Sequence, residues 1–472
     1  MDDIKNKFDE YQEDYIDLHD FFAGERQVKE KGTRYTPMLE GQEKSKNSSA
    51  MYDKYKSFGI LYNALARTRQ GLKGAILRKP IDIQFPDRQK DLLNKIMLNG
   101  ASFNDLTREI TDAVLGYGRI GALVDMRNEI PYVSLYNALS IIEWPEIIIE
   151  GVEQRIILSE MVEVIDPKDP SKMKIVEQRR YLELDEHGEY IVTVKQKTDE
   201  TNDLWVAVLS TPENPNPVMP SYKGKRLTTI PFSFIGSSNN TPTPSRPPLL
   251  DLLNLLKGHW KLTVAYQYGL NFAGLPTPCF AGFNFDADAE IPLGPGAVHH
   301  TPEPGAKSWF MSTGGIGLVE MAAGLDRLEK QMAVVGARLL EEQRPGVESA
   351  ETVRLRGSGD SATLADIAGN VENGLTDILK DIGFWVGVAE SECQVTVNKD
   401  FLSTRLGPLD ITALLGAVQA GEMSSDTFLW NLQQGEILQP GKTVKEEQEA
   451  IAEDTAKNQK NNIALQGLGG SV

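Results

Sequence analysis

The chain has 472 residues, 49 basic and 67 acidic, with a formal net charge of −18. Tight nonspecific DNA binding draws its affinity from lysine and arginine, so this balance excludes a protein that grips nucleic acid over its whole surface. Two cysteines, Cys279 and Cys393, are too few for a disulfide scaffold. An acidic N-terminus and the lack of an apolar run of roughly 18 residues argue against a secretion signal and a membrane span.

The first 100 residues are predicted to be mainly helical. One helix is expected in KYKSFGILYNALARTRQGLKGAILRKP, residues 54–80, where apolar residues recur at spacings of three and four until Pro80. A second helix is expected in DRQKDLLNKIML, residues 87–98. A third helix, residues 102–115, begins at Ser102, which is a predicted N-cap.

Gly116, Gly118 and Gly121 in LGYGRIGALVD have the spacing GxGxxG of a dinucleotide fingerprint. That fingerprint needs a strand before the glycines and a helix after them. Here a helix precedes the glycines and a β-like run, IGALVDM, follows them. The glycines are therefore predicted to end a helix, because glycine accepts positive φ. A nucleotide-binding enzyme at 116–121 is the weaker alternative.

Residues from about 120 to 235 are predicted to form an antiparallel sheet, and 236–248 a linker rich in Pro, Ser and Asn. Long helices are predicted at 249–273, 319–342 and 362–387, separated by a Pro/Gly-rich segment with short strands and by a polar loop. Each long helix contains glycines, which either allow close approach of a neighbouring element or are simply tolerated. A strand, CQVTVNKDF, and a small helical unit at 409–439 follow.

The sequence contains no recognisable catalytic constellation. Its five histidines are scattered, and the GxxxxGK[ST], HExxH and GxSxG motifs are absent. Asp286, Asp288 and Glu290 in FNFDADAEIP could gather a hard cation, but a solvated acidic turn is the simpler interpretation. We therefore expect no enzyme, no metal and no cofactor.

Four stretches, taken in order, resemble one branch of the portal proteins of tailed bacteriophages, a branch filed as a family of unknown function. The stretches are LYNALARTRQGLKGAILRKP, LGYGRIGALVDM, PPLLDLLNLLKGHWKLTVAYQYGLNFAGLPTP and SAETVRLRGSGDSATLADIAGNVENGL. No single stretch is diagnostic, but four in the correct order make coincidence an unsatisfactory explanation. The resemblance extends over most of residues 50–440.

The resemblance implies an α+β fold of the portal type. The parts implied, in chain order, are an N-terminal wing of helices plus antiparallel sheet (1–248), a stem helix (249–273), a β-containing clip (274–318), a second stem helix (319–342), a tunnel loop (343–360), a long channel-lining helix with a strand returning to the wing (361–407), and a small helical crown with a flexible tail (408–472). The crown is short and polar for this family, which is a departure from the pattern.

The resemblance also implies a function and partners. Copies of such a chain, made in the host cytoplasm, form a ring, as a rule a dodecamer, at one capsid vertex of the virion. The ring is the channel for packaging and ejection of double-stranded DNA, which passes nonspecifically, and the attachment point for the terminase large subunit and a head–tail adaptor. Contacts with the major capsid protein and a scaffold protein are also implied, and membrane contact is not. Another virion structural or adaptor protein is the alternative, which the length disfavours.

The candidate site residues follow from this layout. Arg354 and Arg356 lie in the predicted tunnel loop and could contact DNA phosphates transiently, with ordinary solvated arginines as the alternative. The candidates for partner contact in the predicted clip are Phe283, Asp286, Asp288 and Glu290. A channel must let DNA slide, so an acidic or neutral wall suits the function better than a basic one.

Overall fold

The computed structural model describes residues 2–457 apart from several short segments. Those segments are 45–46, 128, 146–153, 167–168, 198–204, 212–214, 276, 284–297, 299, 312–314, 341–349, 400, 402–407, 435–436, 439–443 and 455–456. The predicted flexible tail after residue 457 and residues 343–349 of the predicted tunnel loop therefore lie outside the described residues.

The described residues form an α+β fold, as predicted. The α-helices are α1 (Asp2–Ala23), α2 (Glu25–Glu30), α3 (Glu40–Glu43), α4 (Ser48–Ser57), α5 (Ala64–Ile76), α6 (Phe103–Tyr117), α7 (Leu250–Gly274), α8 (Ile316–Leu340), α9 (Ala350–Val386), α10 (Pro408–Gln419) and α11 (Ser425–Gln434). The strands are β1 (Asp82–Gln84), β2 (Arg119–Arg127), β3 (Ile130–Asn137), β4 (Ile141–Glu143), β5 (Arg155–Asp166), β6 (Asp169–Leu184), β7 (Tyr190–Lys197), β8 (Trp205–Ala207), β9 (Ser221–Tyr222), β10 (Lys225–Arg226), β11 (Phe232–Gly236), β12 (Thr277–Ala281), β13 (Lys307–Met311) and β14 (Gln394–Thr396).

Helix α6 has strong local signals at both ends. The Ser102 side chain accepts a hydrogen bond from the backbone N–H of Asp105 at 3.2 Å, and the Asp105 carboxylate accepts one from the Ser102 N–H at 3.1 Å. This reciprocal capping box satisfies two of the unpaired N–H groups at the start of the helix. At the other end Gly118 has a φ of 74°, and its N–H donates to the Val114 carbonyl at 2.9 Å. The predicted cap and the predicted helix stop are both confirmed.

Two antiparallel sheets occupy the region predicted to be a sheet. The first has the strand order β11-β2-β3, and the second has the order β4-β5-β6-β7-β8. Arg180 on β6 joins the two sheets, because its guanidinium donates to Glu160 on β5 at 3.0 Å and to Asp125 on β2 at 3.2 Å. Helices α6 and α9 pack on the first sheet, and the core lies between them and the strands.

The single helix predicted over residues 54–80 is wrong. Helix α4 ends at Ser57 and α5 begins only at Ala64. Gly59 lies in the break, so close to the Trp260 ring that a Cβ there would be 2.3 Å from it. Asn63 then caps α5 by accepting a hydrogen bond from the Ala66 N–H at 3.2 Å. A tertiary contact and a local cap therefore override the apolar spacing.

Two further elements differ from the expectations. The helix predicted over 87–98 is a 3₁₀ helix, Asp87–Lys95, whose tighter turn suits a short connector. The strand predicted over 393–401 is reduced to β14, which pairs antiparallel with β1 from the N-terminal region. The linker predicted over 236–248 is confirmed except at Gly236, which ends β11, since residues 237–248 contain neither helix nor strand.

The predicted boundary between the tunnel loop and the channel helix is also wrong. Helix α9 begins at Ala350, so the stretch 350–360, expected to be loop, is helical. That stretch, AETVRLRGSGD, opens with Ala and Glu, which have good helix propensity, and its two glycines lie within a helix that continues for several turns beyond them. Arg354 and Arg356 accordingly lie in the first turns of α9 rather than in a loop.

Candidate functional site

Helix α7 leaves the core half-way along its length. Its buried residues end at Val264, and from Ala265 to Leu275 every residue is half-buried or exposed. In α8 the first side chain described as buried is Met332. The second half of α7, the hairpin β12–β13 and the first half of α8 therefore form one projecting unit. We call the described residues within 265–331 the arm.

The two helices of the arm approach closely at glycines. A Cβ on Gly269 of α7 would lie 2.8 Å from the Leu318 side chain of α8. A Cβ on Gly324 of α8 would lie 3.0 Å from the Leu262 side chain of α7. Both glycines accept a leucine from the opposite helix, so the pair is held by small-against-large packing.

Aromatic rings connect the base of the arm to the N-terminal helices. The ring of Tyr268 on α7 lies edge-on to that of Tyr55 on α4, with centroids 5.0 Å apart, and 5.7 Å from that of Phe58. Phe272, one turn further along α7, extends this cluster at 4.8 Å from Tyr268. Edge-to-face contacts of this kind stabilise a fixed geometry, so the direction in which the arm leaves the core is defined.

No layer of described residues covers the hairpin at the end of the arm. Strands β12 and β13 pair only with each other, and every residue of β13 is exposed. Its large side chains Trp309, Phe310 and Met311 are 50 %, 69 % and 58 % exposed. Register places Trp309 opposite Cys279 and Phe310 opposite Pro278, so apolar groups lie on both faces of the hairpin. A two-stranded hairpin without a covering layer is marginally stable in water.

A second contact between α7 and α8 is polar and lies closer to the core. Nε2 of the buried His259 on α7 is 3.3 Å from the Glu329 carboxylate on α8. The Thr263 hydroxyl donates to the His259 carbonyl at 2.8 Å, and the Tyr62 ring lies 5.5 Å from the imidazole. This contact marks the point where the two helices enter the core.

The outer surface of α8 bears an open groove of about 710 Å³. Its lining residues are Leu255, Ala323, Asp326, Arg327, Lys330, Gln331, Val334 and Val335. All but Leu255 come from successive turns of α8, so the groove follows one helix face. Apolar groups line it, with charged side chains at its rim, and this composition suits a packed protein contact better than a small polar ligand.

Helix α9 has one buried side and one exposed polar side. Between residue 363 and Val386 the exposed residues are Thr363, Asp366, Asn373, Asp377 and, at the C-terminal end, Phe384. The only lysine in that part of the helix, Lys380, donates to Asp377 at 3.1 Å. Burial, with the carboxylates of Asp377 and Glu390 nearby, raises the pKa of Asp381 to about 7. Asp366 and Asp377 therefore make the described part of this exposed stripe acidic, whereas Asp381, with its raised pKa, adds less negative charge near neutral pH.

Phe283 is the one predicted partner-contact residue that the structure describes. It follows β12, and its ring lies edge-on to that of Phe280, with centroids 5.3 Å apart. Asp286, Asp288 and Glu290 lie outside the described residues. The structure therefore places Phe283 on the arm beside the exposed hairpin.

The glycines of the GxGxxG motif are enclosed by protein. A Cβ on Gly118 would lie 2.9 Å from the Ser245 carbonyl oxygen, and one on Gly121 would lie 2.2 Å from the Phe232 ring. Arg119 between them is buried against the Trp144 ring, with 4.3 Å from its guanidinium carbon to the ring centroid. A pyrophosphate needs open backbone N–H groups at such glycines, so this geometry opposes the nucleotide-binding alternative.

The described part of the chain offers neither a metal site nor a membrane-spanning helix. No group of three or more His, Cys, Asp or Glu side chains there is placed to hold a metal ion. No helix described is long and apolar enough to cross a membrane.

The sequence analysis missed Trp309, Phe310 and Met311. The available signal was the run WFM, three large apolar residues in succession within a segment otherwise rich in Pro and Gly. A strand with such a run exposes apolar groups on both faces unless a layer covers each face. Whether a covering layer exists depends on the tertiary structure, and pattern alone does not give it.

Residues 248–386 match the protein family described as "Domain of unknown function (DUF4055)". The match begins just before α7 and ends with α9 at Val386, so it spans the arm and the long helix. No curated protein matches the sequence.

Solved structures of gene transfer agent (GTA) particles contain similar chains. A chain from the virion of a native particle has a TM-score of 0.41 and 11 % identity, over 82 % of this chain and 93 % of that one. A chain from the neck of an empty particle, computed with C6 symmetry, has a TM-score of 0.38 and 11 % sequence identity, and the match covers 82 % of this chain and 93 % of that one. A chain from the neck of a native particle, computed with C12 symmetry, has a TM-score of 0.37 and 12 % sequence identity, and the match covers 80 % of this chain and 92 % of that one. At these values the likeness assigns no function to the chain.

Proposed function

We propose that the chain is the portal subunit of a phage-like particle. Copies close into a ring at one capsid vertex, and double-stranded DNA passes through the ring during packaging and ejection. The four ordered sequence stretches support this function, because they fall on α5, on the turn from α6 to β2, on α7 and on α9. The role is structural rather than catalytic.

The uncovered arm is the observation that carries the proposal. Trp309, Phe310 and Met311 are exposed on a hairpin that no layer from the described part of the chain covers. Clustered exposed apolar groups of this kind mark protein contact surfaces. Neighbouring copies in a ring would cover the hairpin from both sides.

Both flanks of the arm carry apolar groups. A closed ring uses a different surface on each flank of every subunit, because its contacts are head-to-tail. On α8 the exposed apolar residues include Val319 and Val334, which are 70 % and 52 % exposed. On α7 they include Leu270 and Phe272, at 38 % and 45 %. Burial of both sets in a ring explains why neither helix is covered within the subunit.

The acidic stripe of α9 suits the wall of a DNA channel. Duplex DNA carries about one negative charge per 1.7 Å of axis. Asp366 and Asp377, repeated around a ring, would repel that charge and keep the duplex centred. Arg354 and Arg356, in the first turns of the same helix, are the proposed points of transient phosphate contact.

The outer end of the arm is the proposed docking surface for packaging and tail proteins. Segment 274–318, which includes the exposed hairpin, would contact the terminase large subunit during filling and a head–tail adaptor afterwards. The wing, residues 1–248, would face the major capsid protein and a scaffold protein. Neighbouring copies would cover the faces of the hairpin, so the proposed docking surface is the part of segment 274–318 that they leave uncovered.

The test combines particle mass, imaging and one pair of variants. We expect the wild-type protein to form rings in negative stain, well above the 52.2 kDa of one chain by mass photometry. The double variant Trp309→Ser/Phe310→Ser should shift the distribution towards monomer, because it removes the apolar surface that a neighbour covers. Leu209→Ser is the matched control, since Leu209 is 87 % exposed but lies in the predicted wing. A wild-type protein that stays monomeric at micromolar concentration, without rings, contradicts the proposal.

A further inference from the structure

Strands β5 and β6 extend beyond the strands beside them. β4 pairs with β5 only at Ile157 and Leu158, and β7 pairs with β6 only from Gln178 onward. Beyond these points the described strand pairing joins β5 and β6 to each other, and the Ser159 N–H also donates to the Ser140 carbonyl at 2.7 Å. We call residues 159–165 and 171–177 the ribbon.

One face of the ribbon is apolar and acidic. The register sets Met161 opposite Glu177, Glu163 opposite Ile175 and Ile165 opposite Met173, so these six side chains share a face. The exposed fractions of its large apolar side chains are 70 % for Met161, 63 % for Ile165, 59 % for Met173 and 60 % for Ile175. An apolar surface on the order of a few hundred Å² is therefore open to water.

The reverse face of the ribbon is apolar and basic. Val162 lies opposite Val176 and Val164 opposite Lys174, and Lys172 shares their side of β6 because successive side chains alternate. Glu160 lies on the same side at the base of the ribbon, where its carboxylate is paired with Arg180 at 3.0 Å. The three valines are half-buried, and both lysines are exposed. The two faces of one ribbon thus carry opposite charges around apolar centres.

This arrangement selects the occupant of the acidic face. Two acidic faces stacked on each other would bring Glu163 and Glu177 against their counterparts, and like charges disfavour that contact. The complementary surface is apolar with lysines at its margin, which is what the reverse face of a second ribbon offers. A contact between two different faces is head-to-tail, and it repeats around a ring.

We propose that the ribbons of neighbouring copies stack, the apolar acidic face of one against the apolar basic face of the next. This contact rests on the proposed ring and adds a second site of subunit contact, distant in sequence from the arm. The ribbon area is below the roughly 800 Å² per partner of a stable interface, so the stack reinforces the ring without forming it alone. Glu163 and Glu177 would face Lys174 and Lys172 of the neighbouring copy.

The test is a charge swap within one chain. Glu163→Lys and Lys174→Glu each place like charges in the stack and should raise the half-assembly concentration on the order of tenfold, equivalent to about 1.4 kcal/mol. In the proposed stack Glu163 faces Lys174 of the neighbouring copy and Glu177 faces Lys172. The double variant Glu163→Lys/Lys174→Glu therefore reverses the first pair and leaves the second unchanged, and we expect assembly close to wild type. Glu186→Lys is the matched control, an exposed acid in the turn after β6. Mass photometry over a dilution series measures assembly, and thermal melting verifies that each variant is folded.

The possible results distinguish failure of the ribbon stack from failure of the proposed ring. Rings that assemble equally well in both single variants overturn the ribbon stack and leave the portal proposal intact. Single variants that weaken assembly without recovery in the double variant also overturn the charge-paired stack. A wild-type chain that never self-associates contradicts both proposals.

Discussion

Gly118 meets two requirements that no other residue type satisfies together. Its φ of 74° is a left-handed conformation that L side chains rarely adopt. Backbone atoms of the linker before α7 also cover it, since a Cβ would lie 2.9 Å from the Ser245 oxygen and 3.0 Å from both the Arg246 oxygen and Pro247 Cα. These contacts tie the end of α6 to the start of α7.

Substitution of Gly118 should therefore cost more than its backbone angle alone. We expect Gly118→Ala to lower the free energy of unfolding by about 2–4 kcal/mol, from left-handed strain plus a clash with rigid backbone. Gly188→Ala is the control, because Gly188 has a φ of 71° with nothing within 4 Å of its Cβ position. That variant should lose only about 1 kcal/mol. Urea unfolding measures the stability of both variants. Equal losses of unfolding free energy would show that the backbone around Gly118 adds nothing to the cost of the substitution.

Asp381 gives the stability of the chain a specific dependence on pH. The pKa of its carboxyl is raised from 3.8 to about 7 by burial and by the nearby Asp377 and Glu390 carboxylates, with Lys380 opposing. The folded state therefore holds this proton more tightly than the unfolded state. The resulting stabilisation is complete below about pH 4 and is lost as the pH rises through 7.

Asp381→Asn should remove this dependence, since the amide stays neutral. Relative to wild type, we expect the variant to gain about 1–2 kcal/mol of unfolding free energy at pH 8 and almost none at pH 4. Asp366→Asn, at an exposed position of the same helix, is the control and should show no such difference. Chemical denaturation at both pH values provides the comparison. A gain of equal size at both pH values would mean that packing, not ionisation, is responsible.

At the scale of elements, the sequence left two interpretations of the glycines in the long helices: close approach of a neighbouring element, or simple tolerance. The structure contains examples of both. Gly269, Gly324, Gly336 and Gly374 lie against side chains of other elements, with Cβ positions 2.4–3.0 Å from them. Gly258 has nothing within 4 Å and is tolerated. The tightest of these contacts is that of Gly374 with Ile235 on β11, so close approach serves helix-on-sheet packing as well as the helix pair.

Gly374 and Ile235 should be strongly coupled. A Cβ on residue 374 would lie 2.4 Å from Cγ1 of the fully buried Ile235, so Gly374→Ala should destabilise the protein by about 1–3 kcal/mol despite better helix propensity. In an Ile235→Ala background the clash disappears, and the same change should become neutral or stabilising by up to about 1 kcal/mol. A double-mutant cycle in urea tests this reversal of sign. If the effects of the two substitutions were additive, residues 374 and 235 would not be in contact, and α9 would lie further from β11 than described.

Local signals in the sequence located the elements that local forces determine. Ser102 and Gly118 define α6 because a cap and a left-handed glycine act within a few residues. The break after Ser57 depends on Trp260, about two hundred residues away in sequence, and no local pattern contains it. Phe283 was identified from its segment, whereas Trp309 and Phe310 become candidates only when the structure shows that their side chains are exposed.

For the whole molecule, two regions have large apolar groups exposed together without an evident role in the subunit. The arm exposes them at Trp309, Phe310 and Met311, and the ribbon exposes them at Met161 and Ile165. The two regions belong to different parts of the chain, one between long helices and one within the second sheet. Neighbouring copies can cover both the arm and the ribbon only if each subunit contacts its neighbours at two separate sites. A closed ring allows such contacts. The remaining question for such a ring is which charges face its opening.

The acidic stripe of α9 answers that question if it faces the channel. Wild-type rings should then retain little duplex DNA, whereas rings of Asp366→Lys/Asp377→Lys should bind it with an affinity that falls steeply with salt. Asp366→Asn/Asp377→Asn is the control, since it removes repulsion without adding attraction and should bind far more weakly than the lysine variant. Fluorescence anisotropy with a labelled duplex at several salt concentrations measures the affinity, and negative stain verifies that the rings are intact. Intact lysine rings that hold no DNA even at low salt would place α9 away from the channel.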